Sequence, residues 1–298
     1  MADNIMLWLY LTLIVIVIWT VESIVDKFVL SHDLKDPTFM VVLFGVVFGV
    51  ILIGTGLIFG PIIVATKYLL LSLLCGVLYF VGIWFFYYVM EYGEVSRVIP
   101  MMSTKPVFVT LMAIFLFGEI LSVVNYIGIA AIVFGAIVIS YKKVKRNISS
   151  KLFYLFAFLS VLIFSIRTIL VEYLSNDIAV WSVLFWTGIA ILGCGVIVYI
   201  FHHPRIHERA QIKGVEIMLV TLTISAIGTV MFFVAIAQGS VSIVTALTST
   251  MPLLVFIFSV LISKYHPNLM HEPLGRKVLM KKVVAIVIIL GGTLLVFV

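Results

Sequence analysis

The sequence predicts an all-α integral membrane protein with ten transmembrane helices arranged as two inverted five-helix repeats. Three observations carry that reading. Of the 298 residues, 64% are hydrophobic and 11% charged, whereas soluble domains run at about 45–50% apolar and ~25% charged. Ten apolar runs each have the length that a bilayer-crossing helix needs, about 17–25 residues. Finally, one phrase occurs twice: "GEVSRVIPMMSTKPV" from Gly93 and "GSVSIVTALTSTMPL" from Gly239 share Gly, Val, Ser, Val, Ser, Thr and Pro at a shift of 146.

The runs fall at 5–27, 38–59, 68–90, 95–117, 123–141, 152–173, 178–201, 214–237, 242–263 and 283–298. The first, "IMLWLYLTLIVIVIWTVESIVDKF", lacks a basic leader and a small-residue cleavage site, so it reads as a retained helix. Charge and turn residues separate the others: "SHDLKDP", "GPIIVATK", "EYGE", "GEILS", "KKVKRNISSK", "LSND", "HHPRIHERAQIK", "QGS" and "KYHPNLMHEPLGRKVLMKK". Run length argues for helices, because an outer-membrane strand would show ~10 residues of alternating polarity.

The repeat extends beyond the shared phrase. Gly128 and Gly135 in the fifth run correspond to Ala285 and Gly292 in the tenth at a shift of 157, the extra residues being a loop insertion. The chain therefore divides into residues 1–146 and 147–298. Five is odd, so the second half enters the membrane upside down relative to the first, an arrangement found in secondary transporters. Duplication in a non-transporting membrane scaffold is the bland alternative.

Fifteen of the nineteen Lys and Arg residues lie in the loops after runs one, five, seven and nine, and the opposite loops hold only Lys67. The positive-inside rule puts the basic odd-numbered loops in the cytoplasm of a plasma or inner membrane, with both termini outside. The net charge of +6 does not make a nucleic-acid surface, since the basic residues sit in short loops rather than on one face with stacking aromatics. The expected partners are a small-molecule substrate and the lipid bilayer, with no nucleic acid, for a monomer or homodimer. Cys75 and Cys194 lie in apolar runs and give no disulfide or metal pattern. His202, His203 and His207 lack the HExxH spacing, and Pro204 interrupts them, so they read as a solvated loop. No cofactor or metal is expected. Without a nucleophile–base pair or a phosphate loop, an enzyme is not expected either.

Charges inside the runs are the sharpest functional signals. Lys105 lies near the middle of the fourth run, where a charge costs about 2.5–3.5 kcal/mol and should face a cavity or a partner. It reads as a docking cation for an anionic or zwitterionic solute, or as a structural ion pair with Glu22. Glu22, near the end of the first run, is a candidate proton-coupling carboxylate, or a helix-end group paired with Lys27 or Arg97. Arg97, about 12 Å along the helix from Lys105, guides anions inward or snorkels to the interface. Arg167 matches Val21 under the 146 shift, so Glu22 and Arg167 project opposite charges toward one pseudo-twofold axis.

Pro106 and Pro252 predict helix kinks, each removing a backbone donor. Ser103 and Thr104, and Ser249 and Thr250, place hydroxyls beside them for a cavity wall; a packing kink is the alternative. Tyr79, Trp84 and Tyr87 of "YFVGIWFFYYVM" are candidate cavity aromatics or members of the interfacial belt.

The stretch from Tyr87 to Ser140, "YYVMEYGEVSRVIPMMSTKPVFVTLMAIFLFGEILSVVNYIGIAAIVFGAIVIS", resembles the EamA-type branch of the drug/metabolite transporter superfamily. The likeness rests on the Gly-turn-Ser opening, the mid-helix Pro106, the "FGE" ending at Glu119 and the "YIG…FGAIVIS" helix. "WTVESIVDKF" in the first run adds to it, whereas the second half has "ISKYHP" in place of the Gly-Glu ending. The resemblance implies ten helices around a central cavity, and export or exchange of small metabolites, often amino acids. It also implies cytoplasmic termini, opposite to the charge count. The fold is similar to that of small multidrug resistance proteins too, which carry an essential carboxylate in their first helix.

Taken together, the residues point to a secondary active transporter moving a small polar metabolite, an amino acid or organic anion, by alternating access. The rivals are a proton-coupled exporter of lipophilic cations that uses Glu22, and a non-transporting scaffold.

Overall fold

The computed structural model describes residues 2–34, 36–117, 122–140, 150–202, 209–239, 241–248, 250–265 and 275–295. Every regular element among them is a helix: α1 (Ala2–His32), α2 (Pro37–Phe59), α3 (Thr66–Tyr92), α4 (Val95–Met102), α5 (Lys105–Phe117) and α6 (Val123–Ser140). The second half continues with α7 (Ser150–Asp177), α8 (Val180–His202), α9 (Arg209–Gln238), α10 (Val241–Thr248), α11 (Met251–Tyr265) and α12 (Arg276–Leu295).

Among the described residues, eight segments are long and apolar enough to cross a membrane, counting Val95–Leu116 as one. Two more, Val123–Gly135 and Met251–Tyr265, are apolar but shorter. The ten spans expected from the sequence thus stand as eight plus two short segments. Of the two short segments, Met251–Tyr265 is the second part of the ninth run, which is two helices, α10 and α11; the fourth run is also two helices, α4 and α5, yet counts as one span. Three other boundaries also move: α1 continues to His32, α9 begins at Arg209 and α12 begins at Arg276.

The breaks in runs four and nine have a local cause. Pro106 and Pro252 occupy the second position of α5 and α11, where a helix needs no backbone donor from them. They therefore start helices instead of kinking them, which corrects the expectation of a mid-helix kink. The chain between the half-helices turns in the same way at both places. Thr104 donates its amide to the Met101 carbonyl at 3.2 Å, and Val107 donates to the Thr104 carbonyl at 3.0 Å. At a shift of 146, Thr250 donates to Leu247 at 3.0 Å and Leu253 to Thr250 at 3.0 Å. The Thr104 and Thr250 hydroxyls close the same turns at 2.8 and 2.7 Å. Backbone groups that the break would orphan in an apolar medium are thereby satisfied locally.

Helices pack in matching pairs: α3 lies on α7 as α9 lies on α1, α3 on α8 as α9 on α2, and α5 on α7 as α11 on α1. Two further pairs, α2 with α8 and α6 with α12, meet through small residues. A Cβ on Gly45 would sit 2.7 Å from the Gly195 Cα, and one on Gly292 would sit 2.7 Å from the Gly128 carbonyl oxygen. Such approach is the route to tight association where lipid supplies no hydrophobic drive. Buried hydroxyls along the helices, among them Thr12, Thr20 and Thr168, bond carbonyls four residues back.

Polar contacts also tie distant elements. Lys27 donates from Nζ to the Met90 and Glu91 carbonyls at 2.8 and 3.2 Å, joining α1 to the end of α3. Lys282 of α12 contacts Glu94 Oε2 at 3.1 Å and Ser96 Oγ at 2.6 Å, holding the start of α4.

Candidate functional site: a charged central cavity

A cavity opens where the two broken helices meet α1, α3 and α7. Its volume is about 150 Å³, room for on the order of ten waters at roughly 10–15 Å³ each. Ile99, Met102 and Lys105 line it from α4 and α5; Thr245, Thr248 and Met251 line it from α10 and α11, each 146 residues later. Ser103 lies between the half-helices on the same wall, its hydroxyl bonded to the Ile99 carbonyl at 3.2 Å.

Two cations face the cavity. Arg167 of α7 is 3% exposed, with its guanidinium carbon 3.7 Å from the Tyr79 ring centroid and 4.8 Å from that of Phe233. Its Nε and Nη2 have no hydrogen-bond partner among the described residues. Aromatic faces hold the charge at about 2 kcal/mol for a desolvated pair while leaving its N–H edge unspent. Tyr79 is fixed in turn by its hydroxyl, 3.1 Å from that of Thr229. Lys105 Nζ lies 4.9 Å from the ring centroid of Phe232, whose other neighbour is Trp19.

The carboxylates come from a different wall. Glu22 and Asp26 of α1 both line the cavity, one helical turn apart. Glu22 lies ten residues inside the end of α1, not at a boundary, because that helix continues to His32. No ion pair joins Glu22 to Lys105 or Arg167 among the described residues.

Of the residues singled out in the sequence, Glu22, Tyr79, Ser103, Lys105 and Arg167 meet at this cavity. Arg97 does not line it, nor does it snorkel: it is 4% exposed, bonded from Nη2 to the Tyr154 hydroxyl at 2.5 Å and lying over Phe153. These two aromatics of α7 capture the side chain before it reaches either the cavity or the interface. Trp84 packs against Phe80, and Tyr87, 1% exposed, belongs to the packed core. Thr104 and Thr250 turn their hydroxyls onto their own backbone, as described above. Ser249, Glu119, His203 and His207 lie outside the described residues. His202 instead pairs with Asp36 at 2.9 Å, across α8 and the N-cap of α2. Among the described residues, no three His, Cys, Asp or Glu side chains gather closely enough to hold a metal ion.

The EamA-like transporter family model matches residues 6–141 and 151–272, nearly the whole chain. The chain belongs to the EamA-like transporter family. It is accordingly a multi-pass membrane protein and a membrane transporter of the drug/metabolite type, from a family of transporters rather than enzymes. Its fold is similar to that of a protein of known crystal structure, with a TM-score of 0.63 at 14% identity, covering 96% of this chain and 94% of that one. No curated protein matches it.

Within this EamA-like chain, sequence reasoning missed Asp26, Thr245, Thr248 and the Phe232–Phe233 pair. Asp26 carried a signal, its four-residue spacing from Glu22, hidden by placing the end of the run at residue 27. The aromatic pair stands 146 residues after Phe86 and Tyr87, so the repeat itself pointed to it.

Proposed function

We propose that this cavity is the substrate site of a secondary transporter whose halves, 1–146 and 147–298, form an inverted repeat and work by alternating access. The matched helix pairs, the matched turns at Thr104 and Thr250 and the two stretches that fit the family model support the repeat. The substrate is a small solute with a carboxylate or comparable anionic group, an amino acid or organic anion. One observation carries this reading: Arg167 and Lys105 both face one cavity, and Arg167 is buried with N–H groups lacking partners. A buried guanidinium held by aromatic faces rather than a protein carboxylate is positioned to receive an anion. The basic odd-numbered loops favour a cytoplasmic placement in the plasma or inner membrane.

The test is thermal unfolding of the purified protein against amino acids, organic acids, sugar phosphates and lipophilic cations. Wild type is compared with Lys105→Met, Arg167→Gln and Arg97→Met. A ligand at about 100 times its Kd stabilises by ~2.7 kcal/mol. Stabilisation by amino acids or organic anions should vanish in Lys105→Met and Arg167→Gln but persist in Arg97→Met. Stabilisation by lipophilic cations alone, unchanged by Lys105→Met, would refute the reading and favour drug export through Glu22.

A further inference from the structure

We infer that Glu22 and Asp26 form a subsite for the ammonium group of the substrate, so that the solute is zwitterionic rather than a simple organic anion. This rests on the reading of Lys105 and Arg167 as the anion-binding wall.

Asp26 is 1% exposed, lines the cavity, and has an Oδ1 without a hydrogen-bond partner among the described residues. Its sequence neighbour Lys27, the obvious counter-ion, holds the Met90 and Glu91 carbonyls on α3. Glu22 lies one turn away on the same face, so the two carboxylates repel each other and both gain from a shared cation. Tyr79 and Tyr87 on α3 face the pair, and Lys105 on α5 and Arg167 on α7 are the other charged groups that line the cavity. The three-ligand cluster that a metal ion would need is not present among the described residues. A compact organic ammonium, with three donors to share between two carboxylates, fits the pair.

The placement of the opposite charges decides the rest. Glu22 and Asp26 project from α1, whereas Lys105 and Arg167 come from α5 and α7, and all four line the one cavity. A simple anion would satisfy one wall and leave the carboxylates unpaired, and a simple cation would do the reverse. A solute with both groups neutralises both walls. Ile83, Phe86, Ile99 and Met251 supply apolar surface for an aliphatic or aromatic side chain. Space for on the order of ten waters suits an amino acid of about that many heavy atoms.

The experiment uses three matched probes with one carbon frame: L-leucine, its 2-hydroxy acid and isoamylamine. Binding is read by thermal shift and by competition for uptake of labelled leucine into proteoliposomes. Leucine should stabilise wild type more than either analogue does. Asp26→Asn should weaken leucine by at least about tenfold while leaving the hydroxy acid unchanged or tighter, since discrimination arises from unpaired buried groups. Asp26→Asn without ligand should unfold no lower than wild type, because it removes a buried charge whose Oδ1 has no partner among the described residues, and this separates lost binding from lost folding. If Asp26→Asn binds leucine as wild type does, or wild type prefers the hydroxy acid, the subsite is wrong. If the hydroxy acid equals leucine on wild type and both are lost in Lys105→Met, the subsite falls and the anion wall stands. Silence from all three probes on wild type overturns both.

Discussion

The buried pair between Glu94 and Lys282 gives the most direct test of how α4 is held. Their side chains are 17% and 8% exposed, and Nζ lies 3.1 Å from Oε2. At an effective dielectric of 20, Coulomb attraction at that distance is about 5 kcal/mol before desolvation is counted. Glu94→Gln leaves Lys282 buried without this carboxylate, although the Ser96 hydroxyl at 2.6 Å still accepts from it. Removing one partner of a buried pair costs about 3–5 kcal/mol, and the remaining hydroxyl argues for the lower end. At roughly 2–4 °C per kcal/mol, the unfolding temperature should fall by at least about 6 °C. Lys282→Met should cost a similar amount, and the exchange Glu94→Lys with Lys282→Glu should recover part of the loss. Tryptophan fluorescence on heating measures all four proteins. A Glu94→Gln protein that unfolds with wild type, or an exchanged double variant no better than either single change, would refute the reasoning.

Two further predictions rest on the packing and on the charge distribution. Gly292→Leu should destabilise by about 1–3 kcal/mol, because even a Cβ there meets the Gly128 carbonyl at 2.7 Å; Gly54→Ala, with nothing within 4 Å, should stabilise slightly through helix propensity, about 0.5–1 kcal/mol. A cysteine at Lys67 should react with an impermeant thiol reagent in intact cells and one at Lys145 only after permeabilisation, whereas the opposite pattern would show that the termini face the cytoplasm.

Helix placement was legible because composition and run length together leave an apolar segment few alternatives in a bilayer. The repeated phrase forms the same local turn at both places, closed by equivalent hydrogen bonds at Thr104 and Thr250. What escaped the sequence depended on contacts made over long separations. Arg97 is defined by Tyr154, 57 residues away, and no helical period announces that capture. Lys282 belongs to a basic stretch that reads as a loop; α12 starts at Arg276, and Glu94 makes burial of the charge tolerable. The prolines misled for a subtler reason. A proline in the middle of a run signals a kink only if the helix continues through it, and here Ser103 and Thr104 end one helix before the next begins.

The proposed repeat also accounts for why the charges are not duplicated. On the proposed alternating-access reading, two near-equivalent halves would make the outward- and inward-facing states similar in energy. Symmetric charges would defeat binding, because a solute with one carboxylate and one ammonium has no twofold axis of its own. The chain keeps the frame and varies the chemistry: Lys105 is answered by Met251, Arg167 by Val21, and Glu22 by Thr168. The same holds at the end of the frame. Glu94 and Lys282 correspond to Ser240 and Asn125, so the ion pair has no charged counterpart in the other half.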